Sequence, residues 1–427
     1  MSGGLIAPLR AALTAAFDRR LDPASPAPLC VGLSGGSDSL ALLVLTVEAA
    51  AARGRPVLAL TVDHGLHPDS AAWTQAAGAQ ARALGADWRR LAWTGAKPRT
   101  GLPAAARGAR HDLLAEAVRA AGASVLLLGH TADDVAEGEA MRRGEAPGLG
   151  RLREWSPSPA WPEGRGVFLF RPLLGVSRET LRREVLRARG LAWLDDPANA
   201  DLRFARARAR AGATRGAGPG LDPAADCEGR EPLPSFGERE GWEDEGGEGA
   251  AGVVRLDLAD LDGPTLSAAL LCASGGVRPP RGAALARLLA RLSTGAPASA
   301  TLAGARSISD GARVRIVREP GRAGLPALPL QGRTIWDGRF DITPDVGGLM
   351  VAPLAGRAAR LPARDRAALS ALPAPARGVL PAILAPDGGV RLPRPFGQGP
   401  ALARSLVHAR LRAALHLIPR EVPREFS

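Results

Sequence analysis

Hydrophobic and polar positions along the first half of the chain switch repeatedly between two periods. Short apolar runs at residues 29–33, 57–62, 88–93, 125–129 and 167–170 predict strands. Between them, apolar positions recur at helical spacing near 38–53, 69–84, 103–121 and 132–143, then 177–189, after a short amphipathic helix over 1–20. Strands alternating with helices at this interval predict an α/β fold with a doubly wound, mostly parallel sheet covered on both faces. In such folds ligands meet the carboxyl ends of the strands. Three polar stretches fall there: Ser34–Ser39 after the first strand, Asp63-His64-Gly65 after the second, and Gly129-His130 after the fourth.

The pattern changes after about residue 211. Residues 212–252 are rich in Gly, Pro, Glu and Asp and predict an acidic linker or insertion. Residues 253–319 predict a mainly helical block, and from about 333 short strand signals mix with further helices. The expected organisation is therefore a domain over 1–211, a linker over 212–252, and a smaller helical and mixed region over 253–427.

At 427 residues there is room for two or three domains. A net charge of +12 favours a polyanionic partner. Arginine almost wholly replaces lysine, however, and tyrosine is absent, so each arginine cluster carries less weight than usual. Three widely spaced cysteines without a C-x-x-C pair indicate neither a disulfide framework nor a zinc or iron–sulfur site. No apolar run reaches membrane-spanning length, and a reducing cytoplasm is the expected location.

The stretch "LSGGSDSLALL" reads as a strand end, a glycine turn and a helix start. The backbone N–H groups of such a turn converge where the helix dipole adds partial positive charge, which suits phosphate. An ordinary capped turn, with Ser37 or Asp38 as cap, has the same local sequence. The single lysine, Lys97, lies outside any G-x-x-x-x-G-K-[ST] pattern, so P-loop kinases and GTPases are excluded. S-G-G-x-D-S instead resembles the pyrophosphate loop of N-type ATP pyrophosphatases, which implies an adenine nucleotide alpha hydrolase-like fold.

Further motifs follow in order: "TVDHGLHPDS", "ARGARHDLL", "GHTADDVAEGEAMRR" and "FRPLLGVSRETLRREVLRARGLAWLDDPANADLRFARARAR". Together they resemble the tRNA(Ile)-lysidine synthetase family over roughly residues 25–215. The resemblance implies a ligase that forms a carbon–nitrogen bond and turns ATP into AMP and pyrophosphate. ATP adenylates the oxygen on C2 of the wobble cytidine in tRNA(Ile) with a CAU anticodon, releasing pyrophosphate, and the amine of free L-lysine then attacks C2 and displaces AMP.

On this resemblance Ser34, Gly35, Gly36, Ser37, Asp38 and Ser39 hold the pyrophosphate, and Asp38 binds Mg²⁺. Helix capping is the other role open to Asp38. Asp63 and His64 stand where a base or ribose is met, although a buried structural histidine fits the same position. Asp133 and Glu137, four apart on a helix, share a face with Asp134 beside them. These acids can bind an amine and Mg²⁺ and accept the proton lost by the attacking amine, or they can simply complement a helix N-terminus. Arg107 is expected on the nucleotide, and Arg110 and His130 on the substrate side, with a solvated face open to the arginines. Arg203, Arg206 and Arg210 are expected along RNA phosphates.

The chain departs from the family at Val135, where glutamine is usual, at Gly138, where threonine is usual, and at Ala207, where asparagine is usual. Two other readings remain: another tRNA-modifying enzyme of the same loop class, such as a thiolase, and a non-catalytic RNA-binding homologue.

Overall fold

The computed structural model describes residues 6–144, 150–194 and 247–422. They form two compact units, one from residues 6–194 with 418–422, the other from 247–417.

The first unit follows the predicted alternation. Its helices are α1 (Ile6–Arg20), α2 (Ser37–Ala51), α3 (Ser70–Ala83), α4 (Leu102–Ala120) and α5 (Ala132–Arg143). Its strands are β1 (Leu29–Gly32), β2 (Val57–Asp63), β3 (Asp87–Ala92), β4 (Val125–Leu128), β5 (Trp155–Pro157) and β6 (Phe168–Phe170). A last helix, α6, starts at Arg178–Thr180 and runs through a π-turn at Leu181–Leu186 into a tight turn at Arg187–Arg189.

The sheet order is β3-β2-β1-β4-β6-β5, parallel except for β5. β1 and β4 are buried at every position, as expected for strands covered by helices on both faces. The edge strand β3 keeps Arg89 and Arg90 exposed, which discourages pairing with another edge. β5 carried no sequence signal, being three residues long and ending in proline. Strand order reverses between β1 and β4, so the crevice at a topological switch point opens between their carboxyl ends.

Residues 418–422 complete this unit. Glu421 makes a two-pronged ion pair with Arg55 at 2.8 and 2.9 Å, and both side chains are 2% exposed. Glu421 also accepts from the Asp22 backbone N–H at 3.0 Å, and the Trp155 indole donates to the Ile418 carbonyl at 2.8 Å.

In the second unit, the expectation of a mainly helical block over 253–319 is corrected. Helices α7 (Gly263–Ala273) and α8 (Ala283–Leu292) are present. They accompany an antiparallel sheet of β7 (Val254–Asp257), β8 (Ala298–Leu302), β9 (Ala305–Ser309) and β10 (Arg313–Arg318), in the order β7-β10-β9-β8. "ASATL" and "ARSIS" are built from small and polar residues, so their alternation carries little hydrophobic contrast. Leu266 and Leu270 of α7 pack with Val254, Val314, Ile316 and with Leu411 of α9 (Val407–Ala414). A second core around Trp336, Phe340, Val351 and Ile383 holds two further antiparallel sheets, built from strands between Leu328 and Ser405.

Candidate active site

The chain leaves β1 at Gly32 and enters α2 through Ser34–Ser39. Gly35 adopts φ +86, a left-handed conformation that L side chains rarely take, and a Cβ there would lie 2.7 Å from Leu194 Cδ1. Gly36 precedes α2 in extended conformation, and a Cβ there would meet nothing closer than Ser34 Oγ at 3.6 Å. The loop's hydroxyls largely shape the loop itself. Ser39 Oγ accepts from the Ser34 N–H at 3.1 Å and donates to the Gly36 carbonyl at 3.0 Å. Ser37 Oγ donates to Asp38 Oδ1 at 2.9 Å and accepts from Arg182 Nε at 3.1 Å. The Leu194 N–H donates to the Gly35 carbonyl at 2.9 Å, laying Leu194 against the turn, while the Ala192 carbonyl accepts from Gln80 of α3. What the loop leaves for a ligand is its backbone N–H groups and the α2 dipole.

Across the crevice, β4 delivers Gly129, His130 and the start of α5. A Cβ at Gly129 would lie 2.7 Å from the Asp38 carbonyl oxygen and 2.9 Å from Ser39 Cα, so β4 and the first turn of α2 touch backbone to backbone. Thr131 caps α5, and its N–H and hydroxyl both donate to Asp134 Oδ2, at 2.9 and 3.0 Å. The capping role open to these acids is thus taken up by one oxygen of Asp134. Asp133 Oδ2 accepts the Arg178 backbone N–H at 2.8 Å. Glu137, one turn further on, is 3% exposed.

Arg178 joins these groups. Its Nε donates to Asp38 Oδ2 at 2.8 Å, Nη1 lies 3.5 Å from Glu137 and Nη2 3.8 Å from Asp134. Burial works against its charge, and the opposing pull of Asp38, Asp134 and Glu137 holds its pKa above the ordinary arginine value. The sequence reading did not single out Arg178. Its one distinguishing signal is position, just after the "RPLLGVS" turn that follows β6, and that signal is drowned where nearly every cation is arginine.

The remaining predicted residues lie around this centre. Asp63 ends β2 and binds Arg90 Nη2 at 2.5 Å and the Gly65 N–H at 2.9 Å. Burial pushes its carboxyl up, but the bonds from Arg90, Gly65 and Ser70 outweigh it and hold the pKa below the usual range. His64 stands edge-on to Trp93 with ring centroids 6.1 Å apart. Its buried Nδ1 has no hydrogen-bond partner among the described residues. Burial and then the charge of Arg110 depress its pKa. On α4, Arg107 is exposed and Arg110 half-buried. The charge of Arg107 acts on Arg171, whose Nε donates to His130 Nδ1 at 3.2 Å. The structure thus brings Ser34–Ser39 and the three α5 acids together, with Asp63, His64 and Arg110 on the β2 side and His130 and Arg107 near Arg171. Arg203, Arg206, Arg210, Asp195, Asp196, Asn199 and Ala207 lie outside the described residues.

Mg²⁺ commonly takes one or two carboxylates and completes its shell with substrate phosphates and water. The donor set fits that mode. Asp38 is the single acid of the loop, and no three His, Cys, Asp or Glu side chains converge as a ready-made metal cage among the described residues.

A parallel sheet with a glycine-serine loop at its switch point defines the class, and residues 10–215 match the family described as PP-loop domain. The chain is 50% identical to a tRNA(Ile)-lysidine synthase of Caulobacter vibrioides over 95% of its own length and 98% of that protein. It is 36% identical to one of Mesorhizobium japonicum over 79% of this chain and 80% of that one. The chain belongs to the tRNA(Ile)-lysidine synthase family.

Proposed function

We propose that this protein is an ATP-dependent ligase that joins free L-lysine to C2 of the wobble cytidine of tRNA(Ile), with a CAU anticodon, in the cytoplasm. The observation that carries this reading is the meeting of the PP-loop and the α5 acids at one switch point, with Asp38 linked through Arg178 to Asp134 and Glu137. Phosphates of ATP bind at the N–H groups of the loop, where close approach is possible because Gly36 presents no Cβ. The C2 oxygen of the base attacks the α-phosphate, pyrophosphate leaves, and the base becomes an adenylate. Mg²⁺ bound at Asp38 would offset charge on the phosphate oxygens.

The amine of lysine then attacks C2, and AMP leaves with the C2 oxygen. An attacking amine must lose a proton, and Glu137 and Asp134 are the carboxylates placed on the α5 side to take it. Asp133 has its Oδ2 committed to the Arg178 N–H, so we assign it to positioning rather than to proton transfer. The departures Val135 and Gly138 leave all three acids in place.

Sulfur transfer fits less well. Among the described residues the cysteines are Cys30 and Cys272; both are buried, and burial pushes both thiols up to about 12, so neither supplies a ready thiolate, while Cys227 lies outside the described residues. The test is mass analysis of the wobble nucleoside in tRNA(Ile) incubated with the protein, ATP and lysine. Addition of lysine to cytidine is expected, and unmodified cytidine in the complete mixture would defeat the assignment.

A further inference from the structure

The segment at residues 176–182 touches both halves of the site. The Ala132 N–H donates to the Val176 carbonyl at 3.0 Å, and the Arg178 N–H to Asp133 at 2.8 Å, which ties the segment to the start of α5. Arg178 and Arg182, one helical turn apart, reach the other way. Arg178 Nε binds Asp38 and Arg182 Nε binds Ser37, two neighbouring residues of the loop. The loop and α5 stand on different strands, and the carboxylates they carry repel one another. A cation between them offsets that repulsion, and a planar fork fixes direction as well as charge.

We propose that Arg178 is a positioning residue for the reaction: its guanidinium registers Asp38 on the nucleotide side against Asp134 and Glu137 on the amine side before substrates arrive. The inference rests on the ligase reading above. It concerns orientation, since Arg178 acts through the carboxylates it holds. Only the Nε–Asp38 bond is short, while the α5 acids stand 3.5 and 3.8 Å from the Nη atoms. Asp38 is therefore held firmly, and Asp134 and Glu137 are held in place electrostatically with room for a substrate amine to displace the looser contacts. Lysine at this position keeps the charge but cannot bind Asp38 and span to both α5 acids together.

The test compares Arg178→Met and Arg178→Lys in the full chain, reading ATP–pyrophosphate exchange, lysine incorporation, KM for tRNA and thermal unfolding. For Arg178→Met, kcat for incorporation should fall about 100-fold, the scale of a misplacement near 1 Å, with KM for tRNA unchanged. Arg178→Lys should recover part of the loss, leaving a deficit of about tenfold. Parent-like turnover by Arg178→Met overturns the proposal. So does an Arg178→Lys variant as impaired as Arg178→Met with the same lowered melting point, which marks a purely structural residue. Should Arg178→Met fail to fold, Arg178→Lys decides alone: a deficit with unchanged KM for tRNA supports the registering role, and parent-like kinetics refutes it. A parent protein that incorporates no lysine would instead sink the ligase reading itself.

Discussion

Replacing Gly129 with alanine asks whether the PP-loop and the fourth strand must meet at backbone distance. The added Cβ would lie 2.7 Å from the Asp38 carbonyl oxygen, 2.8 Å from the Asp38 carbonyl carbon and 2.9 Å from Ser39 Cα. All three are backbone atoms in the first turn of α2, so no side chain can swing aside. Ordinary contact begins at 3.4 Å, so the gap must open by about 0.7 Å. Overpacking of this kind costs about 1–3 kcal/mol, a fall of roughly 2–12 °C in melting temperature for a unit of this size. The same movement carries Asp38 away from the α5 acids, and a shift near 1 Å costs about 100-fold in rate. ATP–pyrophosphate exchange and lysine incorporation, measured beside a thermal melt, read both effects. Parent-like melting and turnover in Gly129→Ala would refute the backbone contact and the alignment built on it.

Gly36→Ala separates ligand approach from folding, because a Cβ there meets only Ser34 Oγ at 3.6 Å and the Leu194 carbonyl at 3.9 Å. Melting should stay within about 1 kcal/mol of the parent while KM for ATP rises tenfold or more, and unchanged ATP kinetics would move the phosphates elsewhere. Glu421→Ala leaves Arg55 as an uncompensated buried charge and should cost about 3–5 kcal/mol, whereas Arg55→Met with Glu421→Leu should lie much nearer the parent; equal denaturation midpoints for Glu421→Ala and parent would dismiss the buried pair. His111 is pushed down to about 4 by burial and by the charges of Arg107, Arg110 and Arg171. Unfolded chains therefore bind its proton more readily, and the stability present above about pH 6.5 drains away as pH falls toward 4. His111→Phe should flatten that part of a stability–pH curve, and an unaltered slope would count against it.

The first unit was legible because its strands differ sharply from their surroundings. β1, β2 and β4 are largely apolar runs that end in or lead straight into glycine, aspartate or histidine, and parallel strands buried on both faces leave that signature. The PP-loop could be read from six residues, since the turn needs glycine at Gly35 for a reason visible in its φ. Between residues 253 and 319 the strands were missed: β8 and β9 contain mainly alanine, serine and threonine, which give no period-2 contrast, while β7 and β10 alternate apolar and arginine positions over runs too short to stand out. Arg178 escaped for a compositional reason. Among 55 basic residues only Lys97 is not arginine, so residue type carries no information and only three-dimensional position shows that Arg178 binds Asp38. Spacing set Asp133, Asp134 and Glu137 on one stretch of helix, but it could not divide them. Only the hydrogen bonds show one tied to a helix brace and another half-occupied by a cap.

The Arg55–Glu421 pair also sets a clock on the making of the molecule. The partners are separated by 366 positions, and at about 5–20 residues per second the ribosome needs roughly 20–70 s to connect them. Throughout that interval the guanidinium of Arg55 cannot be sealed away at low cost, because a buried cation without its anion is strongly unfavourable. A nascent chain that already carries the complete ATP loop is thus held short of its final stability until Glu421 has been added. A chain cut short anywhere in the second unit lacks Glu421, so its first unit is left with Arg55 but without the anion that offsets its burial.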